Sequence, residues 1–228
     1  SVILFIRLLP WSKYRRRSSG IGTVLYHPTR PGHIGAMAIL KIARMGHPVL
    51  RRVAEEIADP TATHIRALAE DMLETMVDAP GVGLAAPQVH VALRMVIFRV
   101  PLTEIESMAD GEAPLTVLIN PVLEPQSEDM EIGWEGCLSL PGLRGQVPRH
   151  THLRYHGVDL KGEAIDRTVD GFHARVVQHE CDHLDGILYP QRMTDLSGLI
   201  FESEMRHVIA ENRARELAEL GEPEAENA

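Results

Sequence analysis

Two histidines four residues apart are the first feature of this 228-residue sequence that could do chemistry. They lie in the motif HECDH (179–183), inside a stretch whose pattern predicts a helix from about 171 to 184. At 3.6 residues per turn, His179 and His183 share one helix face, so both imidazoles can reach one metal ion. Glu180 lies beside them, where a general base for a metal-bound water belongs. The motif therefore predicts a hydrolytic metal site.

A third ligand is needed to decide the class of such a site. Cys181 points about 200° around the helix from His179, so we expect it to be a small buried apolar side chain and not a ligand. A histidine at position 189 would indicate a metzincin protease, but that residue is Tyr189. Glu202 or Glu204 could instead complete a thermolysin-like zinc endopeptidase, and this alternative stays open.

The other candidate for the third ligand is Cys137, in the motif EGCLS (135–139). Taken alone, a cysteine among small residues is more often a packing residue than a ligand. Upstream lies GVGLAAPQ (81–88), which begins like a dinucleotide-binding fingerprint. A helical pattern precedes it, however, and Pro87 would interrupt the helix that such a fingerprint requires. We therefore expect these glycines to let the backbone approach a ligand closely.

Together the motifs GVGLAAPQ (81–88), EGCLS (135–139) and QHECDHLDG (178–186) resemble the three signature motifs of the peptide deformylases, in the family's order and approximate spacing. The resemblance covers the chain from Met37 to about Asp195. It implies that Cys137, His179 and His183 are the metal ligands, with water in the fourth position, and that Glu180 is the general base and acid.

The resemblance also implies roles around the metal. Gln88 and the backbone N–H of Leu138 would form an oxyanion hole, and Val82, Gly83 and Glu135 would line the substrate cleft or support the site. The fold it implies is α+β, with antiparallel strands around the metal-binding helix and a further helix at the C-terminus.

The activity that the resemblance implies is removal of the formyl group from N-terminal formyl-methionine, with release of formate. The expected cofactor is one divalent ion, Fe²⁺ in preference to Zn²⁺, Ni²⁺ or Co²⁺, although the ligand types do not discriminate between them. The expected partners are N-formylmethionyl nascent peptides, and the ribosome is a further candidate. At His90 the family commonly has glycine, and we expect that difference to affect only the surface.

Charge is distributed unevenly along the chain. Residues 1–54 contain ten Lys and Arg and no acidic residue, whereas the rest contains 13 basic and 32 acidic residues, a balance of −19. So acidic a body argues against a general phosphate-binding surface, and we expect no specific DNA binding. The two cysteines exclude a disulfide scaffold and fit a reducing, cytoplasmic setting.

The first 36 residues differ from the remainder. Their apolar run at 2–9 is too short to span a membrane, so we expect no membrane association. The arginine-rich, acid-free composition resembles an organellar transit peptide, which is the alternative to a cytoplasmic location. We expect residues 1–36 to be a disordered or non-native leader, and residues 37–228 to be one catalytic domain with a polar tail.

The motif residues need a fold that brings positions 81–88, 135–139 and 179–183 together. Apolar residues at helical spacing predict a first helix, with Asp59 as its N-cap and Pro80-Gly81 at its end. Turn formers bound strand-like stretches at 94–100, 115–119 and 152–160. The remaining elements expected are a surface loop at 102–114 and a third helix from about Ser197.

Overall fold

The computed structural model describes residues 38–100 and 114–220, which form a mixed α+β fold. The helices in this part of the chain are α1 (Thr63–Asp78), α2 (Gly171–Leu184) and α3 (Met205–Leu220). The strands are β1 (Gly83–Ala85), β2 (Met95–Arg99), β3 (Leu115–Pro125), β4 (Met130–Cys137), β5 (Leu140–His150), β6 (His152–Val158), β7 (Ala164–Asp170) and β8 (Ile200–Phe201). Among the described residues, no helix is both long and apolar enough to cross a membrane.

The strands form two antiparallel sheets. One has five strands in the order β1-β2-β3-β6-β7, and the other has three in the order β4-β5-β8. Helix α2 packs against β1, β2, β6 and β7 of the larger sheet and against β5 of the smaller one. Antiparallel strands thus surround the helix that carries the HECDH motif, as the resemblance implied.

Helix α2 has the predicted bounds, and every residue from Val176 to Leu184 is buried. Its apolar side packs Ala174, Val177, Cys181 and Leu184 into a cluster with strands β2 and β6; we name this cluster the first core. A helix that is buried on all sides needs partners for its polar residues. The buried polar side chains of α2 therefore need hydrogen-bond or ionic partners from the smaller sheet.

Helix α1 covers the other face of the larger sheet. Its residues Ile65, Leu68, Met72 and Met76 pack with β1 and β2 in a second core. Strand β2 serves both cores because successive side chains point to opposite faces. This packing fixes β1, and the short 3₁₀ helix at 86–89 that follows it, against helix α2.

Two predicted boundaries are wrong: the start of the first helix, and the end of the strand predicted at 115–119, which is β3. Helix α1 begins at Thr63 with Ala62 as N-cap, since the Asp59 carboxylate accepts a hydrogen bond from the Thr61 N–H and closes a separate turn before the helix. Strand β3 continues past 119, because Asn120 adopts a positive φ of 51° in a bulge and exchanges hydrogen bonds with the backbone of Ile57.

The C-terminal prediction also needs correction. The third helix begins at Met205 and not near Ser197, because Ile200 and Phe201 first pair with β5 as strand β8. The predicted leader (1–36) and nearly all of the predicted loop (102–114) lie outside the described residues. The hairpin of β4 and β5, which carries Cys137 at the end of its first strand, was not predicted.

Candidate metal centre

One strand and one helix supply three potential metal ligands. Cys137 ends β4, while His179 and His183 lie one turn apart on α2, and one ligand atom from each lies within 4.8 Å of the others. Cys137 Sγ is 3.3 Å from His183 Nε2. Within the described ranges, this is the group of His, Cys, Asp and Glu side chains that could hold an ion. Cys137, the third candidate ligand from the sequence, therefore lies close enough to both histidines to share one metal ion with them.

The orientation of His179 is fixed from behind. Its Nδ1 lies 2.8 Å from Oε2 of Glu135, and its ring stacks on Tyr189 with centroids 6.1 Å apart. A carboxylate on one ring nitrogen holds the proton there and leaves the other nitrogen free to ligate. Sequence reasoning did not identify Tyr189 as a residue of the site.

The electrostatics of the three side chains suit a cation. Burial alone would raise the pKa of the Cys137 thiol, but the facing His183 and His179 outweigh it and hold that pKa well below its ordinary value. Burial opposes charge on His179 too, yet its hydrogen bonds to Cys137 and Glu135 raise its pKa. A divalent ion at this position would stabilise the thiolate in place of the histidine proton, which has to leave before the imidazole can ligate. One soft sulfur and two imidazole nitrogens are a donor set that suits zinc or iron.

Glu180 faces this cluster from the helix. It is only 4% exposed, and burial raises its pKa to about 7. Its Oε2 has no hydrogen-bond partner among the described residues. A Cβ at Gly83 would overlap Oε1 of Glu180, so the glycine of the first motif makes room for this carboxylate. A carboxylate with a pKa near neutrality and a free oxygen is suited to proton transfer.

Gln88 and Leu138 border the same cluster. The Gln88 side-chain amide donates to Ser139 Oγ at 3.2 Å and to Cys137 Sγ at 3.4 Å. Its carbonyl oxygen accepts the Ala85 N–H at 2.8 Å, which fixes the direction of the amide group. Leu138 follows Cys137 in the turn before β5. Two potential hydrogen-bond donors, the Gln88 amide and the Leu138 backbone, thus lie next to the Cys137 sulfur.

A buried ionic network behind the ligands was not predicted. Arg149 binds Glu135 with two nitrogens, at 2.9 and 3.0 Å, and Asp182 with the third at 2.6 Å. Arg192 approaches the same Asp182 at 2.7 Å. Burial would raise the pKa of Glu135, but the hydrogen bonds and charges of His179 and Arg149 outweigh it and lower that pKa to about 2.

Arg175 completes the network from helix α2. It donates to Glu135 at 3.1 Å and to the backbone carbonyls of Val147 at 2.7 Å and Glu131 at 2.7 Å. Arg175 lies four residues before His179, so helical spacing could have identified it. Arg149 could not have been found this way, because its approach depends on the register of the β4–β5 hairpin.

The remaining candidates from the sequence lie elsewhere. Glu202 pairs with Arg144 at 2.6 Å, and Glu204 lies 3.8 Å from His207. Neither belongs to the described group that could hold a metal, so the endopeptidase alternative is not favoured. Cys181 is buried in the first core, as expected for a packing residue. Val82 is 42% exposed, next to Gly83.

Comparison with known proteins agrees with this geometry. The family model described as polypeptide deformylase matches residues 39–198. Peptide deformylase 1 of Nitrosomonas europaea is 55% identical over 159 residues, which cover 69% of this chain and 89% of the relative. Peptide deformylase 2 of Ralstonia nicotianae is 56% identical over 160 residues, covering 70% and 89%.

Solved structures give the same result. The class I type b peptide deformylase of Acinetobacter baumannii, with Met-Ala-Ser bound, matches with a TM-score of 0.63 and 36% identity, covering 69% of this chain and 100% of that one. The Synechococcus elongatus enzyme, in complex with actinonin, matches with a TM-score of 0.62 and 31% identity, covering 76% and 88%. The chain therefore belongs to the polypeptide deformylase family, the hydrolases that remove the formyl group from the N-terminus of newly made polypeptides.

Proposed function

We propose that Cys137, His179 and His183 hold one divalent metal ion, and that this centre is where the chain hydrolyses the formyl group of formyl-methionine. The observation that supports it most directly is the approach of the three ligand atoms to within 4.8 Å of one another. When bound, the ion supplies Lewis-acid polarisation of the formyl oxygen and a water of lowered pKa. We propose Fe²⁺ as the native ion, with Zn²⁺, Ni²⁺ and Co²⁺ as substitutes that the same donor set accepts.

Glu180 is the proposed general base and acid. Its carboxylate takes a proton from the attacking water and delivers one to the methionine nitrogen as the C–N bond breaks, which releases formate and a free amine. A pKa of about 7 lets the same group accept and return a proton near neutral pH. Gly83 leaves the space that this carboxylate occupies.

Gln88 and Leu138 are the proposed oxyanion donors. The Gln88 side-chain amide is held in place through the bond from Ala85 to its oxygen, so its nitrogen stays directed at the site. One of the two N–H groups, which donate to Ser139 Oγ and Cys137 Sγ in this structure, would turn to the oxyanion as charge develops. The backbone N–H of Leu138 is the second donor. Loss of one such donor typically costs about 10²–10³ in rate.

Val82 and Gly83 are proposed to line the substrate cleft, and the buried Glu135 to support the site. Met-Ala-Ser, the peptide bound to the Acinetobacter relative, is what removal of formate from formyl-Met-Ala-Ser would leave. Glu135 is proposed to support the site because its bond to His179 orients a proposed ligand. We further propose nascent formylated chains as the natural substrates, the cytoplasm as the compartment and the ribosome as a partner.

The test is incubation of metal-loaded protein with formyl-Met-Ala-Ser and, as a matched control, acetyl-Met-Ala-Ser. The formyl carbon bears only hydrogen, so a close-fitting cleft excludes the acetyl methyl group. We expect formate release from the first peptide and no acetate release from the second. Equal hydrolysis of both peptides, or internal cleavage of either, would contradict the proposal.

A further inference from the structure

A groove of about 970 Å³ lies beside the proposed catalytic groups. One wall is the extended segment 39–44, and the other walls come from the end of α1 at Asp78 and Ala79 and from the turn and strand at Leu138 and Pro141. Backbone bonds from Ala43 to Gln88 and from Met45 to Ser139 anchor the segment to the motif residues.

The groove borders the proposed oxyanion donors. Leu138, whose N–H is a proposed oxyanion donor, lines it, and so does Val89, which follows Gln88. Gly81, which precedes Val82, also lies close to this lining residue, since a Cβ placed on it would lie 2.9 Å from the Leu138 side chain. A peptide that starts at the metal and continues along Val82 has this groove within its reach, because each extended residue advances about 3.3–3.6 Å.

The charge of the groove differs from that of the rest of the protein. Lys41 and Arg44 line it, are exposed, and form no ion pair with any residue in the described part of the chain. Asp78 is the acidic residue of the lining. From Glu55 onward the chain carries 13 basic and 32 acidic residues. Lys41 and Arg44 come from the basic, acid-free segment 1–54, so the fold places part of that segment on an otherwise acidic body.

His47 and His90 also line the groove. Their rings meet edge to face with centroids 4.6 Å apart. His90 has a φ of 68°, a left-handed conformation that costs a histidine more than a glycine. Burial, His47 and Lys41 all lower the pKa of His90, so at neutral pH it is an uncharged hydrogen-bonding group. Lys41 and Arg44 therefore carry the positive charge.

We propose that this groove receives the residues that follow formyl-methionine and favours acidic side chains among them, through Lys41 and Arg44. The proposal rests on the proposed function, because it places the peptide's first residue at the metal centre. Exposed ion pairs are weak individually, so two of them predict about a three- to tenfold advantage in kcat/KM over a neutral peptide. Added salt should reduce this advantage, since both cations are exposed.

The experiment compares kcat/KM for formyl-Met-Ala-Glu-Glu, formyl-Met-Ala-Ser-Ser and formyl-Met-Ala-Lys-Lys on the metal-loaded enzyme, at low salt and in 0.5 M KCl (roughly a 4 Å screening length). The acidic peptide should be best and the basic one worst, with the differences reduced in KCl. Equal values for all three peptides, or a preference for the basic one, would overturn the proposal. No turnover of the neutral peptide would instead contradict the proposed function, so the two failures are distinguishable.

Charge reversal tests the residues themselves. The double variant Lys41→Glu/Arg44→Glu should invert the ranking, so that the basic peptide becomes best. The matched control is Arg51→Glu/Arg52→Glu, which reverses two exposed arginines that are not part of the lining. The control should keep the wild-type ranking. An inversion in both double variants would show that overall charge, and not this groove, sets the preference, and would overturn the proposal.

Discussion

The two cysteines of this chain lie on opposite sides of helix α2 and have opposite properties. Cys137 approaches the helix from β4, with His179 and His183 beside its sulfur. Cys181 belongs to the helix and packs into the first core with apolar neighbours. Burial acts on both thiols in the same direction, but in Cys137 the histidines outweigh it and lower the pKa, whereas in Cys181 burial dominates and raises it.

This difference explains why Cys137 is the proposed ligand and Cys181 is not. Desolvation alone gives an inert, apolar side chain, and only cationic or coordinating neighbours favour the thiolate. The polar side of α2 also collects the buried network of Arg149, Glu135 and Asp182, while the other side has none of it. One helix thus separates a site for chemistry from a core for stability.

The largest expected effect comes from removing one sulfur. Cys137→Ala should abolish stoichiometric metal binding and, with it, formate release, because two imidazoles alone do not complete the site. Cys181→Ala is the matched control and should bind metal nearly as the wild type does. Metal analysis of both purified variants checks this. Equal metal loss in the two would overturn the ligand assignment.

The next effect concerns the carboxylate on the ligand side of the helix. Glu180→Gln keeps the shape of the side chain but cannot take a proton, so kcat should fall by at least ~10²-fold. Metal content should stay near that of the wild type, because Glu180 is not among the three proposed ligands. Steady-state kinetics with formyl-Met-Ala-Ser measures the change. A wild-type kcat would mean that another group is the base.

The candidate ligands on α2 were easier to predict from the sequence than the buried residues that hold them in place. Helical spacing placed His179 and His183 on one face. The third candidate ligand, Cys137, was implied only by the resemblance of all three motifs to the family. The β4–β5 hairpin was missed because glycines and prolines interrupt its pattern, so Arg149, 14 residues from Glu135, carried no local signal. The Asp59 cap was misplaced because its carboxylate closes its own turn, which sequence spacing does not distinguish from a helix start.

Two arginines with the same bonding pattern separate the buried network from a surface one. Arg149 binds Glu135 with two nitrogens and Asp182 with the third, and Arg154 binds Asp166 with two and Glu124 with the third. Arg149→Met should lower the free energy of unfolding by about 3 kcal/mol, because it removes the cation shared by two buried carboxylates and leaves Glu135 only Arg175 and His179, and Asp182 only Arg192.

The same pair tests the support of the metal ligand. Loss of the partner that orients Glu135 behind His179 should also weaken metal affinity by about 10–100-fold. Arg154→Met should leave affinity unchanged and stability near that of the wild type, since its ion pairs are exposed. Denaturant titration and a metal-competition assay measure both quantities. Similar destabilisation in the two variants would contradict the distinction between the networks.

The smallest expected effect lies on the core side of α2. Cys181→Ser replaces a weakly polar thiol in an apolar cluster by a hydroxyl, which needs a hydrogen bond when it is buried. On a helix, a serine can bond the backbone carbonyl four residues earlier, here that of Val177, and this limits the cost to about 1 kcal/mol in the free energy of unfolding. Metal content and kcat should not change, because the thiol points into the first core and away from the ligands. Denaturation midpoints together with metal analysis check both parts, and a variant that loses metal while remaining folded would show that the two sides of the helix are coupled.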